Sequence, residues 1–188
     1  MATLKVHTIA SAPEGSRHSL EEVQQRLGNI PNLYGTLANS PELLNGYMAL
    51  NHQWERTSLT AKERELIFLS ASVANQCPYC TAGYTAGLQQ MHTGGDIIRQ
   101  VLYNETVQDP RINALVTLVK ELVNNRGFIS DHVRNAFIEA GYEESVILEI
   151  LVGVAMKTMA NYLDHIFPIP IDKAYQDEYN AVIREVHE

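Results

Sequence analysis

Cysteine is almost absent: Cys77 and Cys80 are the whole thiol inventory of 188 residues. A secreted scaffold stapled by disulfides carries more cysteines, spread along the chain, so that class is excluded. A lone Cys-x-x-Cys points instead to redox chemistry or to half of a metal site. No second cysteine pair and no His-x(3–5)-His exists to complete a zinc centre, so no metal is expected. Basic residues are also scarce, 14 Lys and Arg against 22 Asp and Glu, for a net charge of -8 with no Lys or Arg cluster. Binding to nucleic acid or to an anionic membrane surface needs a basic face, so neither partner is expected. With 7 Pro, 11 Gly and 45% hydrophobic residues, the chain is neither disordered nor collagen-like. There is no glycine-rich phosphate loop and no Gly-x-Ser-x-Gly, which removes the usual nucleotide and serine-hydrolase signatures and leaves no cofactor to expect. The longest nearly apolar stretch, Val146 to Met156, is interrupted by Glu149 and falls short of the roughly 20 residues a bilayer requires. Met1 to Ser11 holds one Lys and no continuous apolar block. No secretory signal is read there, and a cytoplasmic location is expected.

What is present is helical periodicity. A chain of this length buries about 70% of its unfolded surface without staples, and a single all-α domain over residues 1–188 is expected. Ser19-Leu20-Glu21-Glu22 has capping-box spacing, and Gly28 to Asn32 reads as a break. Ser40-Pro41 and Thr60-Ala61-Lys62-Glu63 open further helices. Cys77-Pro78 opens one running to about Met91, and Ile97 to Leu102 a short one. Asp109-Pro110 and Ser130 begin two more, closed by Gly127 and Gly141. Glu143 to Asp164 is the most apolar segment and is expected at the centre. Phe167 to Pro170 must be extended, because each proline pushes its predecessor out of the helical region. A last helix carries Tyr175, Tyr179, Val182, Ile183 and Val186. No alternating strand-like run occurs.

With Cys77 at a helix cap, Cys80 lies one turn on and Tyr84 a turn beyond, on one stripe of the surface. Helical i, i+3 spacing brings two cysteine α-carbons to about 5 Å, within disulfide range. The helix amino terminus also favours a thiolate. Cys-Pro-Tyr-Cys is the glutaredoxin tetrapeptide as well, but that fold needs a strand before it, and residues 61–74 are capped and periodic as a helix.

Glu65, eleven residues, Cys77-x-x-Cys80 resembles the Glu-x11-Cys-x2-Cys-x3-His signature of AhpD-like alkylhydroperoxidases in the carboxymuconolactone decarboxylase family. Ile30-Pro31-Asn32-Leu33, Ser40 to Leu44 and Leu59 to Glu65 fit the same pattern, and Asn161 to His165 with Pro168 to Asp172 resembles its carboxy-terminal landmark. The resemblance covers roughly residues 28–105. It implies an AhpD-like helical bundle, assembled as a trimer or hexamer, that reduces peroxides in antioxidant defence. Cys80 would attack the peroxide, Cys77 would close a disulfide onto it, and a lipoyl or thioredoxin-like dithiol would reopen that bond.

One departure stands out. The motif's His is Tyr84 here, and a His found before the second cysteine in some members is Tyr79. An unperturbed tyrosine, with a pKa of about 10, is a poor base near pH 7, so Glu65 is left as the carboxylate base and slow turnover is expected. The helix dipole alone would make Cys77 the more acidic thiol. The resemblance favours Cys80, which Tyr84 can reach. Two other readings remain open: lactone decarboxylation, as in the cofactor-free branch of the family, and a redox sensor without turnover. His165 reads as a helix-end residue near Asn161, His52 and Trp54 as packing and surface positions, and Glu149 as a carboxylate of undecided role.

Overall fold

The computed structural model describes residues 4–186, and every regular element among them is helical. Met1 to Thr3, and the side chains of Ile183 and Val186 assigned to the last helix, lie outside the described residues. The helices are α1 (Glu14–Leu27), α2 (Asn32–Leu37), α3 (Pro41–Trp54), α4 (Ala61–Ala74), α5 (Pro78–Gln90), α6 (Gly95–Leu102), α7 (Pro110–Asn124), α8 (Asp131–Glu139), α9 (Val146–Ile166) and α10 (Gln176–Val186).

Local chemistry sets most of the starts. Ser40 Oγ accepts the Leu43 N–H at 3.2 Å, and Ser130 Oγ accepts that of Val133 at 3.3 Å. Thr60 and Glu63 form a reciprocal capping box, and Asp109 caps α7 ahead of Pro110. Each such cap contributes about 1 kcal/mol. Ser19 does not start a helix. α1 begins behind Pro13, and Ser19, inside it, turns a buried hydroxyl to Asn45 Oδ1 at 2.7 Å on α3. The break after Gly28, whose φ is 78°, is followed by the one-turn helix α2 behind Pro31.

The helix enclosed on all sides is α4, packed by α5, α6, α7 and α9. Leu66 to Ser72 are buried in succession, a pattern only an internal helix shows. Its hydroxyls are satisfied locally, Ser70 to the Leu66 carbonyl at 2.7 Å and Ser72 to that of Phe68 at 2.8 Å. The central place expected for α9 therefore belongs to α4. α9 is long and apolar enough, by length and composition, to cross a membrane, but it is one-sided here. Ile150, Gly153, Met156, Lys157, Ala160 and Asn161 are buried, while Leu148, Leu151, Tyr162 and Ile166 are exposed.

Gly153 sets how closely α9 approaches α3. A Cβ there would lie 2.7 Å from Trp54, whose ring is buried and stacked on Phe68 with centroids 5.0 Å apart. Gly153→Val is therefore expected to lower unfolding stability by about 1–3 kcal/mol through overpacking, read as a lower urea midpoint at unchanged slope. An unchanged midpoint would mean that this close approach is not maintained in solution.

Candidate active site

The site is built on the corner between α4 and α5. Gln76 takes a left-handed φ of 57°, which lets Gln76 N–H reach the Val73 carbonyl and Cys77 N–H the Ser72 carbonyl, both at 3.0 Å. This pair of bonds is a Schellman closure of α4. The next residue step is already α5: Cys77 is its N-cap, Pro78 its first residue, and the Cys80 N–H points to Cys77 Sγ at 3.4 Å. One residue thus ends one helix and caps the next, which fixes the thiol with almost no freedom. His165 Nε2, 3.3 Å from the Gln76 carbonyl, adds a tie from the end of α9.

Both thiols are free and buried, but their surroundings differ. Cys80 lines a cavity of about 620 Å³, whereas Cys77 is not among its lining residues. The Cys77 S–H has two acceptors, the Cys80 sulfur and Asp164 Oδ2 at 3.3 Å. That bond to Cys80, together with burial and the negative charge of Asp164, pushes the Cys77 thiol far up. The same bond, received by Cys80, holds its thiol below the ordinary range, helped by the Lys157 charge and Asn161 against the effect of burial. These contacts act against the helix-dipole expectation that Cys77 is the more acidic thiol. A donated hydrogen bond and a nearby carboxylate oppose a partial charge at the helix end.

Along α5, Cys80, Gly83 and Gly87 follow at helical spacing and line the cavity. The missing side chain at Gly87 leaves room for Glu65, whose Oε2 would lie 3.2 Å from a Cβ there. Glu65 is half-buried and lines the same cavity, and burial raises its carboxyl above the usual range, partly offset by Lys157 and Arg64. Tyr34, Tyr47, Phe68, Tyr79, Tyr84 and Tyr175 supply the aromatic walls. Burial, first among several causes, keeps the phenols of Tyr34, Tyr47, Tyr79 and Tyr84 neutral. Arg26, paired with Glu55 and 3.4 Å from the Tyr34 hydroxyl, stands at the rim.

The two tyrosines in histidine positions have separate surroundings. Tyr79 has its hydroxyl engaged, accepting the Leu33 N–H at 3.1 Å and donating to Asp172 Oδ2 at 2.5 Å. Asp172 also accepts the Asn32 N–H at 3.0 Å, and Asn32 Nδ2 donates to the Pro170 carbonyl at 2.8 Å. Tyr79 thus fastens the extended segment after α9 across the site. Tyr84 points its hydroxyl to Lys157 Nζ rather than to Cys80. The structure brings Cys80, Glu65, Tyr84 and Tyr79 to one cavity, with Cys77 withdrawn beside Cys80 and Asp164 and Tyr79 serving the strap. Glu149 is apart from it, accepting the Ser58 N–H at 2.9 Å and hydroxyl at 2.8 Å. His52 pairs with Glu22 on the surface.

Lys157, Asp164 and Asn161 carry much of the site's electrostatics, and motif spacing does not point to Lys157. A helical count along α9 would have found it: Ile150, Gly153, Lys157, Asn161 and Asp164 recur at three- and four-residue steps on one face. A lysine on that face of the most apolar helix is the available signal.

Residues 41–121 match the model of the carboxymuconolactone decarboxylase family. No match is found among curated proteins. A solved structure of an alkylhydroperoxidase AhpD core, an uncharacterized peroxidase-related protein from Ralstonia eutropha JMP134, is 24% identical. It superposes with a TM-score of 0.78 over 90% of this chain and 92% of its own. A peroxidase-related protein from Silicibacter sp. TM1040 gives 20% identity and a TM-score of 0.77 over 93% and 95% of the two chains. The debrominase Bmp8, in a cysteine-to-alanine form with 2,3,4-tribromopyrrole, gives 15% identity and a TM-score of 0.79 over 97% and 98%. The chain's fold is accordingly the AhpD-like one, all-α as expected.

The unequal thiols predict selective labelling. In a pH series with a neutral alkylating agent, Cys80 is expected to react with a midpoint below the free-cysteine value of about 8.5, while Cys77 stays unmodified across the neutral range. Peptide mass analysis reads both sites. Faster reaction at Cys77, or equal reaction at the two, would contradict the assignment.

Proposed function

We propose, for a chain whose residues 41–121 match the model of the carboxymuconolactone decarboxylase family, a thiol-dependent peroxidase that works through Cys80 and Cys77. The observation carrying this reading is the asymmetry of the pair: the thiol held low opens onto the cavity, and the one held high is withdrawn beside a carboxylate. In the first step the Cys80 thiolate attacks the terminal oxygen of a hydroperoxide. An S–O bond forms, the O–O bond breaks, sulfur gives up two electrons, and the leaving oxygen takes a proton to become an alcohol. Cys77 then attacks the Cys80 sulfenic acid, and its proton passes by way of Asp164 to the departing hydroxyl, so that water leaves as the S–S bond forms. A dithiol reductant from outside the chain restores both thiols by exchange. Glu65, raised in pKa and facing the same cavity, is the group suited to hold a proton there. The chain's own residues supply nucleophile, resolving thiol and proton acceptors, so no cofactor is invoked.

A halogenated aromatic ring is a second substrate reading. It is favoured by the aromatic walls and by the tribromopyrrole bound in the debrominase structure. There the Cys80 thiolate would take the halogen from carbon, a proton would replace it on the ring, and Cys77 would displace halide as the same disulfide forms. Halide release under a dithiol reductant, against alcohol formation from an organic hydroperoxide, separates the two readings.

Removing each thiol should leave a different trace. Cys80→Ser is expected to react with peroxide no faster than background and to show no sulfenic acid on Cys77. Cys77→Ser is expected to accumulate sulfenic acid on Cys80, then sulfinic acid in excess oxidant, because no resolving thiol remains. A sulfenic-acid trap followed by peptide mass analysis distinguishes them. Label on Cys77 in the first variant and none on Cys80 in the second would reverse the roles.

A further inference from the structure

Lys157 is wholly buried, yet none of the ion pairs among the described residues includes it. Its Nζ donates to the Tyr47 hydroxyl at 3.2 Å and to the Tyr84 hydroxyl. It also lies over the faces of Tyr84 and Phe68, 4.3 and 4.5 Å from their centroids. Its hydrogen-bond and ring partners are neutral, and Glu65, whose carboxyl feels the Lys157 charge from the same cavity, makes no ion pair with it, so the cost of desolvating the cation is only partly answered. The anion nearest in chemistry is the one the reaction makes. Tyr47, Tyr84 and Cys80 line the same cavity, and an ammonium can only donate, so each phenol oxygen gives a lone pair to Lys157. The phenol protons are then free to be offered to each other and to the cavity.

We infer that Lys157 is the positioning residue of an anion hole: it fixes Tyr84 and Tyr47 as donors beside Cys80 and supplies the positive charge that the thiolate and the departing oxygen both need. This rests on the reading of Cys80 as the attacking thiol. When the S–O bond forms and the O–O bond breaks, the expelled alkoxide takes the proton of a tyrosine hydroxyl. That tyrosine is reprotonated through Lys157, and the proton lost by the Cys80 thiol closes the balance, so thiol and hydroperoxide give sulfenic acid and alcohol. The arrangement also accounts for a tyrosine where the family motif has a histidine. Tyr84 need not act as a base, because the neighbouring ammonium makes it a donor to the leaving group. Lowering of the Cys80 thiol by the Lys157 charge agrees with this. The titratable groups facing the pair are Tyr34 on α2, Tyr47 on α3, Glu65 on α4, Cys77, Tyr79 and Tyr84 on α5 and Asp164 on α9.

The test compares the parent protein with Lys157→Met and Tyr84→Phe. It reads the Cys80 thiolate fraction against pH by ultraviolet absorbance and the single-turnover rate with cumene hydroperoxide. Lys157→Met is expected to fold, since an apolar side chain of similar length replaces a buried charge. Its Cys80 midpoint should move up, and its rate near pH 7 should fall by about 100-fold or more. Tyr84→Phe should slow the reaction by about tenfold or more while the thiolate midpoint moves far less, a split that loss of packing alone would not give. If Lys157→Met does not fold, Tyr84→Phe decides: a rate within twofold of the parent overturns the inference. An unchanged Cys80 midpoint in folded Lys157→Met overturns it as well. Should the parent reduce no peroxide at all, the reading of function fails, and the shift in Cys80 midpoint between parent and Lys157→Met still tests the role of Lys157.

Discussion

A positive charge enclosed by aromatic rings organises this molecule. Lys157 enters from α9, and α3, α4 and α5 each bring a ring to it, Tyr47, Phe68 and Tyr84. Ring faces attract a desolvated cation by about 2 kcal/mol, and two phenol oxygens accept its protons, yet these neutral contacts recover only part of the lost hydration. The fold tolerates the remainder because Cys80, in the same enclosure, can become negative. Gly153, one turn before Lys157, is what lets α9 come close enough to α3 for the lysine to reach the rings. Packing and reactivity are thus two consequences of one placement.

The second organising element is a shared proton. Cys77 and Cys80 differ little in sequence context, and the helix end would favour the first. The Schellman corner at Gln76 aims the Cys77 sulfur so that its one proton lies between a carboxylate and the other sulfur. Either acceptor keeps Cys77 a thiol, and when the proton turns to the Cys80 sulfur, Cys80 gains a donor. Asp164 is itself fixed, its other oxygen accepting the Ile169 N–H at 2.9 Å at the start of the extended strap. That strap continues through Asp172 to Tyr175, whose ring covers Gly83 and closes one wall of the cavity. The thiol chemistry and the cavity wall therefore hang on the same short segment.

Much of this is legible in the residues. Ser40-Pro41, Thr60 with Glu63, Cys77-Pro78, Asp109-Pro110 and Ser130 announce helix starts because a cap is a local interaction between neighbours in sequence. Glu65 and the cysteine pair are legible through spacing. What was not legible depended on which face of a helix meets which neighbour. Ser19 has the right spacing for a cap but faces Asn45, and Glu149 and Lys157 both interrupt an apolar helix while only Lys157 turns inward. The central position of α4 was hidden because α9 is the more apolar sequence, although its outward stripe of Leu148, Leu151, Tyr162 and Ile166 is exposed.

Reactivity at this site requires the two thiols to act as one unit. The direct measurement is an intact-mass and thiol count of the folded protein before and after a single equivalent of organic hydroperoxide. The account predicts that both thiols disappear together, with a loss of two hydrogens in mass and a Cys77–Cys80 linkage in the peptide map. Two thiols that remain fully alkylatable after the peroxide is added, or an oxidised Cys80 that persists beside a free Cys77, would contradict it.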